Sequence, residues 1–491
     1  MKPWIKQTML LSICAGLTVP LLAACTQMPG AADKTERVLR IATTMGGSED
    51  EYFRQQFTEI FEFANPNIKL EIVSTIDESY MFGRPDPSTK RVDPLDKMKE
   101  VMQGDNPPDV VVVGYEQLPE LIGSNLLTQL DPMITKDKFD TSDMVPAVIE
   151  GLKKSGNGKL YALAPTFNSS AVVYNRQMFD EAGVAYPKDK MTWEEAFDLG
   201  RRLAKGEGEN RKYGFSFSTQ SMGDMFNSMQ IYTAPLQLGM YDELGEKMTV
   251  DTDQWEKIWK TMLQLKKDKV TPEQPDPATM RSKMNSGEYN PFQYDDFLSG
   301  RVAMSIINYG QLSQITNANK NAQNIKGFTP IDWDVVTLPV HPEAPDTGGY
   351  MNMNGIMGIN AKAQNLDDAW KFIKFINGED WARLKANSSY NIVTRKKYIK
   401  PKDGVQFHIE AFTTLSPAIP PDNQINREKP NIYQVQQIGR RLFNDVTQDK
   451  IQVREALKKW QTEGDAMLQQ IKENPNGPMG GGMEFAVPMM R

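Results

Sequence analysis

Cysteine and histidine are nearly absent from this chain of 491 residues, with two of each. Cys14 lies inside an apolar leader, so the mature chain keeps only Cys25. One cysteine excludes a disulfide framework and any cysteine-based metal site. His341 and His408 stand far apart, and no His-Glu-x-x-His occurs, which argues against a zinc hydrolase. No Gly-Lys-Ser/Thr phosphate loop is present; Gly158-Lys159 runs into Leu160. Gly-x-Ser-x-Gly and a strand-borne Gly-x-Gly-x-x-Gly are missing too. Positive charge is also short. The chain carries 56 basic and 63 acidic residues. That balance argues against nucleic acid, which needs a basic stripe, and against polybasic contact with anionic lipid. After residue 25 no apolar run reaches the ~20 residues of a membrane span.

The first 25 residues are the most patterned segment. Lys2 and Lys6 open it, residues 8–22 are apolar, and Leu22-Ala23-Ala24-Cys25 closes it. Positive start, apolar centre and small-residue end are the layout of a secretory signal peptide. The final tetrad resembles the lipobox of bacterial lipoproteins. The resemblance implies cleavage after residue 24 and a lipidated Cys25 as residue one of the mature chain. Removing 1–24 takes out two lysines, and the net charge moves from −7 to about −9. The remaining length exceeds one ordinary core and suggests two lobes. Residues 25–37 are small and polar and read as a tether. An apolar fraction of 40% is that of a globular chain.

Along the chain, strands and helices alternate. An apolar strand is expected at 38–43. A helix opened by Ser48 and Glu51 follows, with Phe53, Phe57, Ile60 and Phe61 on one face. Ile68, Leu70 and Ile72 alternate with Lys69 and Glu71, the pattern of a half-exposed strand. This β-α-β unit predicts a parallel sheet. Four valines, 110–113, suit a central strand covered on both faces. Thr192-Trp193-Glu194-Glu195 is a second capping box. Helices are expected around Trp255 and Trp259, leading to Phe297, at 367–377 with Gly378 as C-cap, and at 450–472. Further strands are expected at 171–174, 302–307 and 335–338. Insertions at 77–94 and 271–296 could widen a cleft or decorate the surface. Residues 474–491 read as a disordered tail.

Six blocks in order carry a family resemblance. They are Gly104-Asp105 to Asp109; Asn125-Leu126-Leu127 to Asp131; Gly158-Lys159-Leu160-Tyr161; Tyr174-Asn175-Arg176 through Thr192-Trp193; Phe297-x-x-Gly300-Arg301-Val302-Ala303-Met304; and Gly355 to Ile359 with Ala369-Trp370-Lys371-Phe372-Ile373. Together they resemble the family 1 extracellular solute-binding proteins, the sugar-type receptors of ABC importers. Asn125 stands where the family pattern has glycine. The resemblance implies an α/β protein of two lobes. Each lobe would be a mostly parallel sheet flanked by helices, with ligand held in the cleft between them. Residues 38–165 with 345–393 would form lobe 1, and 166–344 with 394–473 lobe 2. Crossings are expected near 164–167, 339–349 and 391–395. It also implies a carbohydrate ligand, ABC permease subunits as partners, a lipid anchor, a monomer, no cofactor, no metal and no bond chemistry.

Sugar recognition calls for aromatic faces and for planar polar groups that match hydroxyl pairs. Ligands of open α/β sheets sit beyond strand ends. The candidates on the expected strand ends are therefore Thr44, Met45, Gly46, Tyr115, Glu116, Phe167, Asn168, Tyr309, Tyr350 and Asn352. Asn308 and Asn354 are neighbouring candidates, and Tyr294 and Asp295 are more distant ones. Asp109 and Trp193 are expected to place their elements, not to touch ligand. Two alternatives stay open on sequence alone: a surface carbohydrate hydrolase, and a sensor or adhesin without transport.

Overall fold

The computed structural model describes residues 35–44, 49–75, 93–220, 224–273, 292, 294–349, 351–387, 390–401, 404–418 and 424–474. The leader with Cys25, the tether as far as residue 34, Met45, Gly46, Ser48 and Tyr350 lie outside the described residues. So do 76–92 and 274–291, the bulk of both insertions, and 475–491.

Lobe 1 is built on the strands β1 (Arg37–Thr43), β2 (Ile68–Ser74), β3 (Val110–Val113), β4 (Ala162–Leu163) and β11 (Ile356–Ile359). They form one five-stranded sheet in the order β2-β1-β3-β11-β4. β1 pairs in parallel with β2 and β3, as the β-α-β pattern requires, and β11 is the reversed strand between β3 and β4. All four valines of β3 are buried, consistent with a strand covered on both faces. Asp109 sets its entry. The buried carboxylate accepts from Arg40 N at 3.1 Å and from Gln364 N and Asn365 N at 2.8 Å, tying three segments together. The Phe53-Phe57-Phe61 spacing places these rings one turn apart on a buried helical face. Phe61 meets Phe372 and Phe375 edge-on at 5.0 and 5.4 Å, which docks the helix Leu366–Ile376.

Lobe 2 contains β6 (Ser170–Asn175), β7 (Tyr213–Ser216), β8 (Val302–Asn308) and β9 (Trp333–Thr337). The four pair in the order β7-β8-β6-β9, with β6 reversed. Period-two alternation splits β6 between two cores. Val172 and Tyr174 join an aromatic core under the helices Trp193–Leu203, Asp253–Lys267, Tyr433–Thr447 and Val453–Glu473; Ala171 and Val173 face the lobe 1 side. Trp259 is fully buried there, 5.6 Å from Trp460 and 5.1 Å from Phe443 between ring centres. The Thr192 box forms as expected: its hydroxyl accepts from Glu195 N, and the Glu195 carboxylate accepts from Thr192 N.

A short hinge sheet joins the lobes. Its strands are β5 (Thr166–Asn168), β10 (Asn352–Asn354) and β12 (Ile392–Val393), in the order β10-β5-β12. Two details differ from the sequence reading, and the helix expected to lead to Phe297 lies largely outside the described residues. Gly378 has φ −83° and opens the next helix, Glu379–Lys385, while Asn377 ends the previous one. Beyond Phe297 the chain turns into β8, where Arg301 N and Val302 N close back onto Asp296 O. Residues 394–399, expected with lobe 2, bond into lobe 1: Val145 N donates to Thr394 O, and Lys396 N to Asp143 O.

Candidate functional site

The hinge register decides which side chains share a face. Phe167 lies opposite Met353 and Ile392, and all three are buried in the lobe 1 core. Phe167 is fully buried, so it packs the hinge and offers no ring face to a ligand in this arrangement. One step along β5, Asn168 lies opposite Asn352, and Asn391 directly precedes β12 on the other side. Residues in register point to one face. Asn168 and Asn352 therefore share a face opposite to the buried Phe167 row, with Asn391 at the edge of the same sheet.

Lobe 2 brings further groups to this end of the hinge. β5 runs into β6, where Ser170 pairs with Asn308 at the end of β8, and Tyr309 N donates to Ser169 O at 3.2 Å. Asn308 caps the following turn: Oδ1 accepts from Gln311 N at 3.1 Å, and Gln311 Oε1 accepts from Asn308 N at 3.1 Å. Gly310 sits at the meeting point. A Cβ there would stand 3.3 Å from Tyr390 O, 3.4 Å from Asn308 Oδ1 and 3.9 Å from Asn168 Nδ2. Tyr390 is 76% exposed and shares a hollow of about 40 Å³ with Tyr309, which is buried and edge-on to Phe412. Asn168 Oδ1 is buried with no hydrogen-bond partner among the described residues.

The other candidates lie elsewhere. Tyr115 is half-buried, donates its hydroxyl to Gly151 O at 2.8 Å and stands near Met353, so it packs beside the hinge. Glu116 follows β3 at the strand end and folds over Gly114. Thr44 is half-buried at the end of β1. Tyr294 and Asp295 precede the turn into β8; Asp296, the next residue, is ion-paired with Arg301 at the strand's start, the far end from Asn308. Burial pushes the Asp295 carboxyl up to about 6, against the pull of the Leu298 and Phe297 N–H groups. Sequence reading placed Asn168, Asn308 and Asn352 among strand ends but passed over Asn391, Tyr390 and Gly310. The third crossing at 391–395 was the available signal, since it brings Asn391 to the hinge.

A second cavity, of about 740 Å³, opens in lobe 2 between the helices Trp193–Leu203 and Asp253–Lys267. Its rings pack on one another: Trp193 lies 5.1 Å from Tyr232, and His341 4.6 Å from Tyr232. His341 Nε2 meets Tyr232 O at 2.7 Å, so Nε2 carries the proton. Burial holds the imidazole below its ordinary pKa, in the neutral form. Among the described residues no group of three or more His, Cys, Asp or Glu side chains could hold a metal ion.

Comparison with known proteins bears on this geometry. A protein of Brucella abortus (strain 2308) described as a binding protein is 22% identical over 319 residues, spanning 63% of this chain and 68% of its own. The fold is similar to a sugar transporter from Rhizobium etli solved in an open conformation. That likeness has a TM-score of 0.58 at 20% identity, over 87% of this chain and 99% of the other. It is also similar to an ABC substrate-binding protein from Listeria monocytogenes in complex with cycloalternan. Here the TM-score is 0.53 at 20% identity, over 89% and 100% of the two chains. Residues 46–383 match the family model of the bacterial extracellular solute-binding proteins, and the chain belongs to that family.

Proposed function

We propose that this protein captures a neutral oligosaccharide outside the cell and delivers it to the membrane subunits of an ABC importer, held at the membrane through a lipidated Cys25. The observation that supports the ligand site is the hinge, where Asn168 pairs with Asn352 and, with Asn308, borders Gly310 at the junction of the two lobes. Planar amides at a lobe boundary suit vicinal hydroxyls, and a ligand touching both lobes favours their closed arrangement. The proposed lobes are 38–165 with 345–399 and 166–344 with 400–473. The Rhizobium and Listeria proteins, a sugar transporter and a cycloalternan complex, support a saccharide over a peptide. Delivery is the remaining role for a family of binding proteins.

The test is calorimetric titration of the purified full-length protein with maltotriose, raffinose, xylotriose and cycloalternan. Binding of at least one at micromolar concentration is expected. No heat and no shift in melting temperature with any of them contradicts the reading. Mass spectrometry of the membrane-extracted chain checks the anchor, which Cys25→Ser should abolish.

A further inference from the structure

Asn168 is unusual in its position. It ends β5, the hinge strand that passes directly into β6 of lobe 2. Its backbone pairs with Asn352, yet its side-chain Oδ1 has no partner among the described residues. Oδ1 is shielded from water as well. Buried polar groups in folded proteins are nearly always satisfied, and an exception calls for a reason. Local alternatives are already engaged. Asn308 Oδ1 is held by Gln311 N, and Ser169 Oγ donates to Phe412 O. Asn168 therefore carries an unmet acceptor at the strand that leads from the hinge sheet into lobe 2.

We infer that Asn168 is the specificity-determining residue of the cleft: its amide engages a vicinal pair of hydroxyls, Oδ1 accepting from one and Nδ2 donating to the other. This rests on the saccharide-capture reading above and deepens it to a chemical class. An amide oxygen accepts hydrogen bonds only. It favours a hydroxyl, which donates, and repels a carboxylate or phosphate oxygen, which does not. The neighbouring asparagines, Asn352, Asn391 and Asn308, add no charged side chain to neutralise an anion. A neutral sugar is thus the ligand class inferred, since each of its hydroxyls can donate to this acceptor and none brings a charge to be neutralised. Rejection follows the same logic as affinity, since an anionic oxygen would leave the buried acceptor unmet and add repulsion. Gly310 belongs to the arrangement, because a side chain there would enter the space shared by Asn168, Asn308 and Tyr390.

The experiment is titration calorimetry and thermal melting of the full-length protein and two variants, Asn168→Leu and Asn168→Ser. The probes are the four neutral oligosaccharides above and digalacturonate. Three results are expected together. The natural chain binds a neutral probe and not digalacturonate. Both variants bind that probe about tenfold more weakly or worse. Asn168→Leu melts at the same or a higher temperature, since it removes an unmet polar atom. A purely structural role predicts the reverse, a lower melting temperature with unchanged affinity, and overturns the inference. Binding of digalacturonate with no neutral sugar bound also overturns it, while the capture reading stands. Failure of every probe contradicts the capture reading itself. Should the leucine variant not fold, the serine variant decides between the same outcomes.

Discussion

The lobe 2 cavity holds about 740 Å³ and the hollow beside Tyr309 and Tyr390 about 40 Å³, and the proposed ligand site adjoins the smaller one. In the cavity the aromatic walls lean on one another, and two cations of the rim are engaged. Arg201 bonds Asp198 and Asp268, and Lys260 pairs with Glu256. The indole N–H of Trp193 lacks a partner among the described residues, but the ring is sealed against Phe197, Phe217 and Tyr232. At the hinge the apolar groups are packed, and one amide oxygen, Asn168 Oδ1, is left unmet among the described residues. Volume in the cavity reports how two helices diverge; the proposed site is marked instead by unmet polar chemistry at a lobe boundary.

The contrast can be broken from the lobe 2 side. Trp259→Ala empties the centre of the aromatic core and should cost about 3–5 kcal/mol of stability in urea unfolding. Its folded fraction should bind saccharide as the natural chain does. A matching loss of affinity would show that the aromatic core and the cleft are one unit.

Asp295 gives the next largest effect, with a pH signature. Its folded pKa of about 6 lies above the ordinary carboxyl value near 3.8. Below pH ~3.8 the group is protonated in both states and costs nothing. As pH rises from about 4 to about 6 the folded state holds the proton that the unfolded state has released, so stability falls. Above pH ~6 the cost is complete, about 2–3 kcal/mol. A neutral amide in place of the carboxylate would keep the bond from Leu298 N without the charge. Asp295→Asn should therefore raise stability at pH 7 by about 2 kcal/mol and leave it unchanged at about pH 3.5. An equal gain at both pH values would contradict this account of the burial.

Two smaller effects sharpen the contrast. Thr192→Ala removes the cap at the lip of the cavity and should cost about 1 kcal/mol, read as a lower melting temperature with unchanged saccharide affinity. Gly310→Ala should cost less than that, within about 1 kcal/mol, because its neighbours at 3.3 and 3.4 Å need to give only slightly. It should nevertheless weaken saccharide binding severalfold, the opposite ratio of stability to affinity. If both variants changed only stability, the hinge and the cavity would be alike.

Much of the framework was legible because it is local. Thr192 and Glu195 are three residues apart, the phenylalanines of the first helix repeat every four, and four valines in succession admit little but a covered strand. The hinge was not legible in the same way. Asn168 meets Asn352, and Phe167 meets Ile392, across about two hundred residues, and no local periodicity encodes that register. Phe167 and Asn168 were equal candidates in sequence. One step of β-strand alternation buries the first fully and leaves the second half-buried on the opposite face. The Asp295 carboxyl depends likewise on long-range packing around Thr219 and Arg301, as does the lobe 2 cavity on how two helices about 60 residues apart diverge.

The central claim is that a saccharide held at the hinge draws the two lobes together. Small-angle X-ray scattering of the full-length protein, with and without a saturating neutral oligosaccharide from the calorimetric panel, tests it directly. The predicted result is a smaller radius of gyration with the sugar, and a smaller decrease for Asn168→Leu at the same concentration. A saturated protein whose radius of gyration stays constant would contradict the account.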